Sequence, residues 1–362
     1  MNILLTNRVL AGRSGTEVVV RDLSFGLKQR GHTPLVYSPV LGSMAAEIRA
    51  HGVAVYDNLR DIAPTPDVIH GHHHPQTLAG LLRFPKTPAV FVCHDAVSWH
   101  DAPLIFPRVL RYVAVDHRCK RRFEGTPRVR PESVRVILNA VDLSRFTPRP
   151  SLPPRPLRAA IFSNYASRRT QLPAIAKACD SLGISLEVIG RASGTETLRP
   201  EQVLPRYDLV FAKARCALEA MAVGCAVVVC DFGGLGCMVS RETFAGLRQL
   251  NFGGGTLTRP LDAELIAAEI RKYDAAEAGV ISERVRREAD LSGAADEWIE
   301  LYGEVLGEYA NASDQHAEEM TALADYVAEW GYDARIAWEN KRLGKYLNWP
   351  LVGFCLKKAL KK

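Results

Sequence analysis

The sequence predicts an α/β protein of two doubly wound parallel-sheet domains followed by a C-terminal helical extension. Three observations carry that expectation. Apolar runs of strand length alternate with segments of helical spacing, the pattern of parallel sheets covered by helices. At 362 residues the chain exceeds one ordinary core and suits two. Between the two sets of alternations, Pro148 to Pro156 carries five prolines in nine residues, a stiff boundary that can be neither helix nor central strand. The expected divisions are residues 1–150, 157–310 and 311–362.

Taken in order, Asn2 to Thr6 is a short strand, followed by a loop with Gly12 and Gly15. Glu17 to Arg30 has helical spacing, with Val20, Leu23 and Leu27 on one face and Gly31 at its end. Leu35 to Tyr37 and Val53 to Tyr56 read as strands, Met44 to Ala50 as a helix, and Asp67 to His72 as a strand running into a loop. Val90 to Cys93 is an apolar strand ending in His94 and Asp95, and Val113 to Val115 is one more. Beyond the prolines come a strand from Leu157 to Ser163, a loop from Asn164 to Arg169, a helix from Leu172 to Leu182 and a strand from Leu186 to Ile189 that ends at Gly190. Leu261 to Tyr273, Ile281 to Leu306 and Ala317 to Arg342 are helices, while Asn251 to Gly255 is a glycine loop with no function attached.

The most informative stretch is Tyr207 to Gly236. Leu209 to Phe211 is an apolar run, Ala217 to Ala222 is rich in helix formers, and Ala226 to Cys230 is mostly β-branched before Asp231 and two glycines. In such a β-α-β unit ligands sit at the carboxyl ends of the strands, against the free N–H groups of the next helix. Ala212 to Cys216 lies at that place: its alanines let a phosphate approach the backbone, and Lys213 and Arg215 add charge. The local sequence alone favours a Glu219 that only complements the helix dipole beside two solvated cations.

Composition narrows the class. A hydrophobic fraction of 47%, a charged fraction of 24% and a net charge of +6 with both signs interspersed fit a soluble protein that meets phosphate-bearing small molecules or a membrane surface, with no duplex groove and no nucleic acid as partner. Eight cysteines at irregular spacing, without a CxxC pair, predict reduced thiols and a cytoplasmic protein. Seven of the ten histidines fall between His70 and His117. A structural zinc is the sharp reading of that density, but adjacent His72, His73 and His74 cannot easily converge on one ion, and no metal site is expected.

At this point the chain resembles a family. LEAMAVGCAVVVCDFGGLG, from Leu218 to Gly236, is similar to the donor-site signature of the retaining GT-B glycosyltransferases of family four: an acidic residue opening Glu-Ala-Met-Ala, then Gly, an apolar strand and a Gly-Gly turn. SGTEVVVRDLSFGLKQRGH looks like the family's Gly-Gly-x-Glu loop and Arg-Gly-His helix end, and Asn139 to Phe146 like its Asn-Gly-Val-Asp-x-x-x-Phe segment. The resemblance covers most of residues 1–310. It implies a GT-B fold, two Rossmann-like domains facing across a cleft, and an enzyme that moves a sugar from a nucleotide-diphosphate-sugar to an acceptor hydroxyl with retention. It also implies donor contacts at Gly15, Asn164, Arg169, Gly190, Arg215 and Glu219, the last on the ribose, with His94 at the reacting sugar and His72 and Asp95 on the acceptor side.

The chain departs from the pattern in specific places. Phe211 stands where the family has its first Glu, Ala212 and Ala214 replace glycines, and Ser163, Asn164 and Arg169 stand for Gly, Arg and Lys of the diphosphate clamp. No Asp-x-Asp is present, so the expected hexosyltransferase is metal-independent and uses no cofactor beyond its donor. A nucleotide-sugar epimerase of related fold, or a nucleotide-binding pseudoenzyme partner motivated by Phe211, are the alternatives. The acceptor is expected to be a glycan or lipid-linked envelope precursor. From Lys341 onward seven basic residues and no acidic one interleave with apolar side chains, which predicts peripheral contact with the inner, anionic membrane face or else a solvated tail.

Overall fold

A computed structural model describes residues 1–313 and 315–347, the side chains of 332–347 excepted. The basic tail beyond 347 lies outside the described residues.

The first sheet has seven parallel strands: β1 (Asn2–Thr6), β2 (Thr33–Tyr37), β3 (Ala54–Tyr56), β4 (Val68–His72), β5 (Ala89–Cys93), β6 (Val109–Ala114) and β7 (Val134–Val136). Their spatial order is β3-β2-β1-β4-β5-β6-β7, so the winding reverses between β1 and β4. Helices α1 (Gly15–Gln29), α2 (Ser43–Ala50), α3 (His74–Arg83) and α4 (His117–Glu124) connect strands. The central strands are buried on both faces, as parallel sheets require. On α1 the expected face is the buried one, with Val20 and Leu27 fully covered.

The second sheet holds β8 (Arg158–Phe162), β9 (Ser185–Ile189), β10 (Leu209–Ala212), β11 (Ala226–Asp231) and β12 (Gly234–Met238) in the order β12-β11-β10-β8-β9. Here the winding reverses between β8 and β10. Its helices are α5 (Leu172–Ser181), α6 (Pro200–Val203), α7 (Ala214–Val223), α8 (Arg241–Gln249), α9 (Ala263–Ile270) and α10 (Ala275–Glu288). Alternate residues of β10 enter two cores: Val210 and Ala212 pack with α7, Leu209 and Phe211 with α5 and α9. The Gly-Gly pair read as a turn also starts β12, which runs antiparallel to β11.

The helix expected from Ile281 to Leu306 is two helices, α10 and α11 (Leu291–Tyr309). The break lies at Ala289-Asp290, where Asp290 caps α11 by accepting from Ser292 N. Backbone bonds from Val141 N to Ala289 O (2.8 Å) and from Leu291 N to Val141 O (3.0 Å) hold the break. From there α11 packs on the first sheet rather than the second: Arg30 pairs with Asp296, and Tyr302 hydroxyl lies 2.6 Å from His70 Nδ1. The chain thus returns to the first sheet through α11.

A second unit comprises Ile105–Arg108 with residues from Asn311 on, including α12 (His316–Leu347). Within it Arg108 grips Glu319 in two-point fashion, Nε to Oε1 at 2.6 Å and a terminal nitrogen to Oε2 at 3.2 Å. Among the described residues no helix is long and apolar enough to cross a membrane, and the seven described cysteines are all free thiols.

Candidate active site

The reversal of winding between β8 and β10 and the loop after β1 open onto one cavity of about 280 Å³, at the carboxyl ends of strands where ligands of doubly wound sheets bind. Its walls come from the loop after β1 and the first turn of α1 (Arg13, Ser14, Gly15, Val18), the end of β8 (Phe162 to Tyr165), Gly190, and the first turns of α7 (Lys213 to Cys216, Glu219). Two helix N-termini therefore contribute to it, each a source of N–H donors and partial positive charge. Arg13, Arg21, Arg145, Lys213 and Arg215 outnumber the carboxylates of Glu196, Glu219 and Asp231 along its lining. All five are ion-paired, Arg13 and Arg21 with Glu47, Arg145 with Glu201, Lys213 with Asp231 and Arg215 with Asp22 and Glu219, so what the lining offers an anion is the N–H donors that these pairs leave over on the guanidinium and ammonium groups.

The α1 loop is stiffened from below. Glu17, buried, accepts from Gly12 N and Ser14 N, both at 2.7 Å, and so folds the glycine loop back over the helix start. On the other wall Asn164 ties the halves together: its Oδ1 accepts from Arg191 N and its Nδ2 donates to Arg13 O, both at 3.3 Å. Gly190 is there for space, because a Cβ would stand 1.9 Å from Ser163 O.

Glu219 lines the cavity but is not alone. Its Oε1 accepts from Arg215 Nε at 2.9 Å, one turn earlier on α7, and Arg215 also pairs with Asp22 of α1. Asp22 in turn accepts from Arg21 Nε at 2.7 Å, and Arg21 reaches Glu47 at 3.0 Å. Burial pushes the Glu219 carboxyl up and Arg215 pulls it back only in part. Asp22 is pushed up by burial too, but between Arg215 and Arg21 its carboxyl ends below the usual range. The chain of charges joins the two sheets across the cleft.

At the base of the same wall lies Asp231, the last residue of β11 and wholly buried. Its Oδ1 accepts from Ser163 Oγ at 2.9 Å and Gln171 Nε2 at 3.0 Å, and its Oδ2 is 2.6 Å from Lys213 Nζ. Sequence reading passed over Asp231, Arg13, Arg145 and Tyr165, although Asp231 carried one usable signal, its position at the carboxyl end of a strand before a glycine turn.

Three histidines, His70, His72 and His94, line a second, smaller chamber of about 40 Å³, with Asp22, Asn139, Ala140 and Arg215 among others. His72 Nδ1 and His94 Nε2 are 2.6 Å apart with stacked rings, and Asp101 Oδ1 accepts from His94 N at 3.0 Å. His72 Nε2 is buried without a hydrogen-bond partner among the described residues. His72, His73 and His74 meet three different rings, those of His94, His100 and Trp99. His73, His100 and Asp101 could offer three metal ligands within 4.8 Å of one another. However, His73 Nδ1 already accepts from Arg8 N at 3.1 Å, which puts the ring proton on Nε2, the other nitrogen a metal would need.

Of the expected site residues, Gly15, Asn164, Gly190, Arg215 and Glu219 line the larger cavity, and His72 and His94 line the smaller. Arg169 and Asp95 line neither: Arg169 is exposed on its loop, and the exposed Asp95 turns its Oδ1 to Val97 N at 2.8 Å. Arg215 is common to both chambers and stands between them. His94 therefore does not touch the cavity that holds Glu219.

The glycine loop without an assigned role is the seam between the halves. Asn251 and Phe252 both have positive φ (53° and 51°), and Asn251 donates to Val115 O at 2.6 Å while accepting from Asn139 N at 3.2 Å and Arg248 at 2.9 Å. Phe252 O accepts from Ala214 N at 2.7 Å at the start of α7. Arg118 lies over the glycines that follow, and a Cβ on Gly255 would fall 2.5 Å from its Cδ.

Residues 13–145 match the family model described as Glycosyltransferase Family 4. No curated protein matches the chain. Among solved structures, a glycosyltransferase from Rickettsia africae superposes with a TM-score of 0.62 at 14% identity, covering 84% of this chain and 98% of that one. An Anabaena protein, HepE, solved with UDP and glucose, gives 0.60 at 15% identity over 83% of this chain and 99% of its own. The fold shared with them is GT-B: two parallel-sheet α/β domains with C-terminal helices.

Proposed function

We propose that this protein is a glycosyltransferase that moves a sugar from a nucleotide-diphosphate-sugar to an acceptor hydroxyl with retention, the acceptor being a glycan or lipid-linked precursor at the inner membrane face. The observation that carries the reading is the cationic cavity at two helix N-termini, with the Glu219 carboxylate inside it. A diphosphate suits the amides and cations, and the free lone pairs of a carboxylate suit ribose hydroxyls. Stabilisation of the leaving diphosphate by fixed cations and amides supplies the chemistry without a metal. The donor contacts in this reading are Gly15, Asn164, Gly190, Arg215 and Glu219. His94 and His72 act from the smaller chamber, on the reacting sugar or the acceptor.

A nucleotide-binding pseudoenzyme is the second reading. One observation favours it: Phe211, at the place of the family's first acidic residue, is wholly buried in the core with Ile161 and Val228. Incubation of the full chain with labelled nucleotide-sugars separates the readings. Transfer or slow hydrolysis supports the transferase, interconversion of the sugar an epimerase, and binding without turnover the pseudoenzyme. Sedimentation with anionic and neutral vesicles tests the membrane contact, and equal, negligible pelleting removes it.

A further inference from the structure

We infer that Asp231 and Lys213 form the sugar end of the donor cavity and exchange partners when the donor binds, Lys213 passing to the diphosphate and Asp231 to hydroxyls of the transferred sugar. The inference rests on the nucleotide-sugar reading above and adds the residues that read the sugar.

Strand β10 offers the sugar no carboxylate, since Phe211 faces the core. The neighbouring strand does. Asp231 ends β11, which pairs with β10 in parallel, and it is part of the cavity lining. Ser163 and Gln171 hold its Oδ1, so the carboxylate is fixed in direction, while its Oδ2 has Lys213 as its cation at 2.6 Å.

Lys213 is the mobile member of the pair. It sits at the N-cap of α7, is about one-third exposed (30%), and has its ammonium 5.7 Å from the Tyr165 ring centroid and 5.1 Å from that of Phe232. Those rings are themselves 57% and 51% exposed, with centroids 5.1 Å apart. A lysine on a flexible stem, beside a helix N-terminus and with a carboxylate as its present partner, moves readily to a phosphate that carries more charge. Its departure leaves Asp231 Oδ2 buried and in need of donors, because an unpaired buried carboxylate is costly. Sugar hydroxyls are such donors, and the two exposed rings give the apolar face of a sugar a surface to lie on.

The test is calorimetry on the full chain with matched probes: UDP and UDP-glucose, GDP and GDP-mannose, dTDP and dTDP-rhamnose. For whichever pair the wild type binds, Asp231→Asn should bind the nucleoside diphosphate as well as the wild type or better, because Lys213 is released, yet bind the nucleotide-sugar about tenfold or more weakly. Lys213→Met should weaken both by about tenfold. Equal effects of Asp231→Asn on the two probes, or none, would make the pair a fixed structural bridge and overturn the exchange. Should the asparagine variant fail to melt cooperatively, Lys213→Met decides, since unchanged diphosphate affinity in that partly exposed position also overturns it. A wild type that binds none of the diphosphates removes the nucleotide-sugar reading itself, and this inference with it.

Discussion

Arg215 of α7 is ion-paired with Asp22 of α1, so a helix of the second sheet is bound to a helix of the first through side chains 193 residues apart. Both are nearly covered, with side-chain exposures of 10% and 3%. Arg215 also donates to Glu219 at 2.9 Å and Ala140 O at 3.4 Å, which uses three directions of its planar fork. The pair closes the cleft, fixes one oxygen of Glu219, and separates the cationic cavity from the histidine chamber.

Removing Asp22 leaves Arg215 with Glu219 and Arg21 with Glu47 as their remaining counter-ions, so the cost should be about 3 kcal/mol, the low end for a broken buried pair. Asp22→Ala should therefore lower the urea midpoint by that equivalent. Asp22→Asn, which keeps a hydrogen-bond acceptor, should lose less. A variant as stable as the wild type would show that the cleft opens freely in solution and that the pair adds nothing to it.

Glu219→Gln should weaken nucleoside-diphosphate binding by about 1.5–3 kcal/mol, the worth of a charged hydrogen bond to the ribose. Oε1 is held by Arg215, so the effect is expected to come through the remaining oxygen. Calorimetry that returned wild-type affinity in a folded variant would take Glu219 out of the donor contacts and leave it as Arg215's counter-ion.

What could be read from the chain and what could not divide along one line. The β-α-β unit from Tyr207, the α1 loop with Gly15, and the strand ends at His72, His94 and Gly190 were legible because local periodicity and turn residues specify them. The partners of Arg215, Lys213 and Asn251 were not, since each is chosen by how distant elements pack. Arg169 illustrates the limit: its place in the motif order suggested a clamp, but the loop turns it to solvent and the cavity draws its cations from Arg13 and Arg145 instead. The split of α10 from α11 had a signal, Asp290 as an N-cap, outweighed by helical spacing on both sides.

The seam gives a third expectation. Asn251→Ala deletes a buried donor to Val115 O and an acceptor for Asn139 N and Arg248, and puts a residue with a β-carbon and no polar side chain at φ 53°. Each group left buried and unpaired costs about 1–3 kcal/mol. The variant should lose at least about 2 kcal/mol in urea unfolding. A loss within a few tenths would mean that water reaches the seam and replaces the amide.

The buried histidines set the pH dependence. Burial, aided by neighbouring imidazole or arginine charges, lowers His70 to about 3, His73 to about 2, and His74 and His94 each to about 4, and holds His72 well below its ordinary 6.5. In the unfolded chain these rings take protons as pH falls through about 6.5, whereas in the folded protein they stay neutral. Their contribution is therefore complete above about 6.5 and is lost as pH falls towards the folded values, at up to about 1.4 kcal/mol per ring per pH unit. Asp101 works in the opposite sense. Burial raises it to about 6 from 3.8, so its contribution is present below about 4 and lost as pH rises through 6. Five imidazoles outweigh one carboxyl, and a domain stability of ordinary size, about 5–15 kcal/mol, cannot absorb their combined slope for long. Urea midpoints measured at pH 7, 6 and 5 should fall steeply below 6.5, and Asp101→Asn should steepen the fall by removing a group that works against it. A midpoint that stays level from pH 7 to 5 would mean that the rings are hydrated or already charged in the native protein.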